Sequence, residues 1–66
     1  MTSTEHSILV DISLVGYSVI LTHKAREFKA ASTLIALRII HIEAGNDKMW
    51  IVKFGQAPIG FQPREI

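Results

Sequence analysis

The sequence contains no cysteine, and that absence closes several routes at once. Disulfide staples, thiolate metal sites, thiol nucleophiles and dithiol redox motifs are all excluded. Proline is nearly as scarce, with 2 residues, Pro58 and Pro63, so the chain has no Pro-rich linker. The 4 glycines, at positions 16, 45, 55 and 60, are too far apart to line a phosphate-binding loop. Neither sign of charge dominates: 7 Lys+Arg stand against 6 Asp+Glu, and a net charge of +1 exerts no bulk pull on nucleic acid or anionic membrane. At 66 residues there is room for one core and no second domain. A chain this short buries only about 60% of its unfolded surface, so its stability is marginal unless a partner adds to it.

Long hydrophobic runs are also missing. The best candidate, Ser7 to Thr22 (SILVDISLVGYSVILT), has 16 residues with Asp11 inside it. A spanning helix needs about 20 apolar residues, and an aspartate at its centre costs about 2.5–3.5 kcal/mol. A membrane partner is therefore not expected, although Lys24, Arg26 and Lys29 would suit a cytoplasmic flank. The residues before the run hold Glu5 and no Lys or Arg, the reverse of a secretory signal. The expected setting is cytoplasmic.

What the chain does have is 48% apolar residues in short patterned segments. Residues 1–6 are polar and aperiodic, and are expected to be disordered. Residues 7–62 form the one domain, and 63–66 a C-terminal tail. From Ile8 to Leu14, Ile8, Val10, Ile12 and Leu14 alternate with Leu9, Asp11 and Ser13, which predicts a half-buried strand. Gly16 breaks the run and Tyr17 to Leu21 resumes it, as a second strand after a turn at Val15 and Gly16 or as one bent strand with a bulge at the glycine. The segment from His23 to Ala36 reads two ways. Ala25, Phe28, Ala31 and Ile35 fall at helical spacing, whereas Arg26, Phe28 and Ala30 alternate acceptably as an edge strand. It is carried as a short helix within residues 24–35. Leu37 to Glu43 and Lys48 to Phe54 then alternate on either side of Ala44-Gly45-Asn46-Asp47, a β-hairpin with Trp50, Val52 and Phe54 on its core face. A last short strand is expected over Ala57 to Phe61. Five short strands predict a mainly β fold, a small SH3-like, partly closed barrel, because closure removes exposed edges. If the middle segment is fully helical, the alternative is an α+β fold with a four-stranded antiparallel sheet and one helix.

No constellation for catalysis emerges, and enzymatic activity is not expected. His6, His23 and His41 are dispersed. His41 and Glu43 could supply two metal ligands, but zinc needs three or four. The acidic residues are scattered, with Asp47 in a turn where aspartate bonds its own backbone. No metal or other cofactor is expected. The one local charge feature is His23-Lys24-Ala25-Arg26-Glu27-Phe28-Lys29, which places three basic residues around an aromatic. Such a segment could contact phosphates with Phe28 stacking on a base, although short basic runs more often form a solvated face.

The order of these pieces, GYSVILTHKAREF from Gly16, then STLIALRIIHIE, GNDKMWIVKFG and APIGF, resembles the small C-terminal β-barrel of integrase-type transposases. The best-matching stretch is Trp50 to Gly55 followed by Pro58 to Phe61, and the likeness covers a little over half the chain. It implies a non-catalytic accessory module without the family's catalytic core, and DNA or parent-transposase subunits as partners. Lys24, Arg26, Lys29 and Arg38 would then face the phosphates. The competing expectation, from a different class, is a structural interaction module that self-associates or adds an edge strand to a partner.

Overall fold

A computed structural model describes residues 1–66. The chain opens with helix α1, Ser3–Val15, where the alternating pattern predicts a strand. Its N-terminus explains the difference. Thr2 and Glu5 form a capping box: the Glu5 N–H donates to the Thr2 hydroxyl at 3.2 Å, and the Thr2 N–H donates to the Glu5 carboxylate at 2.8 Å. Gly16, at φ 89°, ends the helix in the left-handed conformation, and its N–H reaches the Ile12 carbonyl at 2.7 Å. Between these stops Ile8 and Ile12 lie four residues apart on one face and are buried together. Helix α1 therefore takes in residues 3–6, read from sequence as a disordered end.

Strand β1, Ser18–Leu21, follows, and then helix α2, Ala25–Ala36, which fulfils the helical reading of the middle segment. Ser32 and Thr33 are accommodated by donating their hydroxyls to the Phe28 and Lys29 carbonyls one turn back. Helix α2 buries Ala30, Ala31 and Leu34. The expected hairpin is present with shifted bounds. Strand β2, Ile40–Gly45, starts three residues later and takes in Ala44 and Gly45 of the expected turn, β3 is Met49–Phe54, and a bulge lies between Ile42 and Ala44. Phe54, expected in the core, is exposed. The Asn46 side chain closes the hairpin turn by accepting from the Lys48 and Met49 N–H groups. Ala57 to Phe61 forms no strand. Instead Arg64–Glu65, within the expected tail, forms a short strand β4.

The sheet runs β1-β3-β2-β4, with β3 antiparallel to both neighbours and β4 parallel to β2. It is open, so the expected five-stranded barrel is corrected to an α+β fold. The physical reason is α1: once Ile8 to Leu14 coil into a helix, too few strands remain to close a barrel. The α+β alternative comes closer, but there are two helices and one sheet edge is parallel. The register places Ile20, Trp50, Val52, Ile40 and Ile42 on one face. Ile20, Val52 and Ile40 join Ile8, Ile12, Ala30, Ala31 and Leu34 in a single buried cluster, with Trp50 and Ile42 packed against it. Both helices thus cover that face. The other face carries Val19 opposite Ile51, Leu21 opposite Met49, and His41 opposite Lys53.

Candidate interaction surface

The four basic residues singled out from the sequence do not form one patch. Lys24 precedes α2, and Arg38 follows it in a left-handed conformation at φ 64°. The 12 residues of the helix between them span about 18 Å. Arg26 and Lys29, three apart on one helical face, do come together. They border a groove of about 390 Å³ beside Thr2, Ser3, Thr4 and Glu5 at the start of α1. Arg38 borders a different groove, formed with the C-terminal segment. Phe28 is half-buried and packs against the Trp50 ring, with centroids 4.9 Å apart. No three or more His, Asp or Glu side chains are placed to hold a metal ion.

The two edges of the sheet differ sharply. Beyond β2 the chain covers its own edge: β4 pairs with Ala44 and Gly45, and the Ile66 N–H donates to the Gly45 carbonyl at 3.1 Å. His41 fastens the start of this covering segment. Its Nδ1 lies 2.9 Å from the Gly55 carbonyl, its Nε2 lies 2.7 Å from the Glu43 carboxylate, and the Phe61 ring meets it edge-on at 5.8 Å. The His41 hydrogen bond holds the Glu43 carboxyl below its usual range, assisted by the charges of Lys53, His41 and Arg64 and opposed by partial desolvation.

The β1 edge has no such cover. The Thr22 N–H bonds the Lys48 carbonyl at 3.0 Å, which continues the β1–β3 ladder by one residue. Antiparallel alternation then directs the backbone groups of Ser18 and Ile20 toward β3 and those of Val19 and Leu21 outward. Edge strands are normally blunted by lysine, proline or a bulge. Ser18–Leu21 has none of these.

Apolar side chains surround this bare edge. Leu14 is 77% exposed, Val15 65%, Val19 46%, Tyr17 45% and Leu21 37%. Leu14, Val15, Tyr17 and Val19 line one groove of about 320 Å³ with Asp11 and Ser18. Val10 is a further exposed apolar residue of α1, on an outer side it shares with Ser7, Asp11 and Ser13. The sequence shows the strand itself but gives no sign of its edge position, which depends on β3 inserting between β1 and β2. No helix is long and apolar enough to cross a membrane. The chain matches no protein-family model, no curated protein and no solved structure.

Proposed function

We propose that this chain is a protein–protein interaction module that accepts a partner's strand along β1. The observation that carries this reading is the contrast between the edges: one is capped by β4 and the His41 contacts, the other is bare and bordered by Leu14, Val15 and Tyr17. Strand addition uses the outward N–H and C=O groups for affinity and neighbouring side chains for selectivity. Titrating the isotope-labelled chain with a short uncharged Val/Thr peptide tests it. Slowed amide exchange at Val19 and Leu21, with resonance shifts centred on residues 17–21, is the expected result. Shifts centred on β4, or none, would remove the reading.

A second reading keeps the resemblance to the accessory module of integrase-type transposases, and the adjacency of Arg26 and Lys29 favours it. Two phosphate contacts predict a log-log salt slope of about −1.8 for DNA binding. Binding that ignores salt, or that survives alanine at both positions, would count against it.

A further inference from the structure

Resting on the edge-docking reading, we infer that the strand received by β1 is β1 of a second copy of this chain, paired antiparallel about a two-fold axis through Val19. The free backbone groups select that register. The Val19 N–H and C=O, the Leu21 N–H and the Tyr17 C=O have no partner within the chain, whereas the Leu21 C=O already accepts from the Lys24 N–H at 3.0 Å. With Val19 opposite Val19 of the second copy, the two valines exchange a pair of hydrogen bonds. Each Leu21 N–H then meets the other copy's Tyr17 carbonyl. Only the Tyr17 N–H, at the ends of the seam, is left to share the other copy's Leu21 carbonyl with Lys24, whereas an axis at Ile20 would send both central Val19 N–H groups to that occupied carbonyl.

The side chains agree with this choice. A two-fold pairing sets each residue against its own kind or a near neighbour, so any charge on the strand would face a like charge. Ser18–Leu21 carries no ionisable group. On the open face the pairing aligns Ile51 and Val19 of one copy with Val19 and Ile51 of the other, and sets Leu21 beside Tyr17. It also places Thr22 of each copy against Gly16 of the other, carrying Lys24 toward the carbonyl end of α1. The last turn of that helix has no basic side chain of its own, so the cation complements its dipole.

The chain exposes 4627 Å², about 400 Å² more than a compact monomer of 7.4 kDa is expected to expose, and the apolar side chains around β1 contribute to that excess together with others elsewhere on the surface. Asp11, exposed beside the seam, is the nearest acidic group on α1 and remains at its solvent-facing rim.

Sedimentation equilibrium from micromolar to about 1 mM tests the inference, a range that covers associations of about −8.2 to −4.1 kcal/mol. A monomer–dimer equilibrium is expected. In a mixed sample of labelled and unlabelled chain, an intermolecular Hα–Hα contact between Ser18 and Ile20 should mark the register. Val19→Lys, at an exposed position, should weaken the dimer at least about tenfold by setting like charges face to face. Leu37→Lys, at an exposed apolar residue after α2, should leave the dimer intact. A chain that stays monomeric, or a dimer indifferent to Val19→Lys, would overturn the inference. If the Val/Thr peptide still protects Val19 and Leu21 in that case, only the identity of the partner fails. If it does not, the edge-docking reading fails with it.

Discussion

His41 lies between two oxygens, with the Gly55 carbonyl 2.9 Å from Nδ1 and the Glu43 carboxylate 2.7 Å from Nε2. The arrangement depends on Glu43 being ionised, and its folded-state pKa lies below the usual value of 4.5, first because of the His41 bond. A carboxylate with a depressed folded pKa contributes stability that is complete above its unfolded pKa and drains away as pH falls through the folded one. Urea unfolding of the wild-type chain and of Glu43→Gln should therefore differ most near neutral pH and converge below the usual value. A gap of constant size across that range would show that Glu43 acts by packing alone. Amide exchange at Gly55 and in β4 should quicken with the same pH profile, because His41 ties that segment to β2.

At the scale of elements, the hairpin is the most legible part of the chain because its signals are local. Alternation on both sides of Ala44-Gly45-Asn46-Asp47 leaves few alternatives, and β2 and β3 form there, with β2 running on through Ala44 and Gly45. Helix α1 reads as a strand because Ile8, Val10, Ile12 and Leu14 satisfy period two, while Ile8 and Ile12 also satisfy the helical i, i+4 spacing. Signals at its ends decide between them: Thr-x-x-Glu at Thr2 and a glycine at the C-terminal stop. The two informative glycines also differ in kind. A Cβ at Gly16 would meet nothing within 4 Å, so the cost of Gly16→Ala lies in its φ of 89° alone, about 1–2 kcal/mol. A Cβ at Gly45 would lie 2.6 Å from the Met49 carbonyl oxygen, so Gly45→Ala must displace the hairpin backbone. Gly16→Asn should recover part of the loss at position 16, since asparagine tolerates the left-handed region, whereas no side chain rescues position 45. Equilibrium urea unfolding of the three variants checks both statements, and a Gly16→Asn chain as unstable as Gly16→Ala would refute the first.

For the molecule as a whole, the candidate surfaces are poorly legible in sequence because they depend on distant parts of the chain. The basic run is continuous in sequence, but winding it onto α2 keeps Arg26 and Lys29 adjacent and leaves Arg38 at the far end. The bare edge exists only once strand order puts β3 between β1 and β2. The surplus apolar content is legible from composition, and part of its exposure gathers at Leu14, Val15, Tyr17, Val19 and Leu21, while Leu37, Phe54, Ile59 and Ile66 are exposed elsewhere. A second copy covering that region would make dimerisation part of the folding equilibrium, so the melting temperature should depend on protein concentration. Each tenfold rise in concentration above the dissociation constant adds about 1.4 kcal/mol per dimer, or about 0.7 per protomer. For a domain of this size about 1 kcal/mol moves the melting temperature by about 4–8 °C, so the expected rise is about 3–6 °C per decade. Calorimetry across two decades of concentration should show this slope in the wild-type chain and in Leu37→Lys. In Val19→Lys the slope should appear only above a concentration raised by the factor through which its dimer is weakened. A wild-type melting temperature independent of concentration would place the folded state in the monomer alone and leave the apolar surface at β1 without a second copy to cover it.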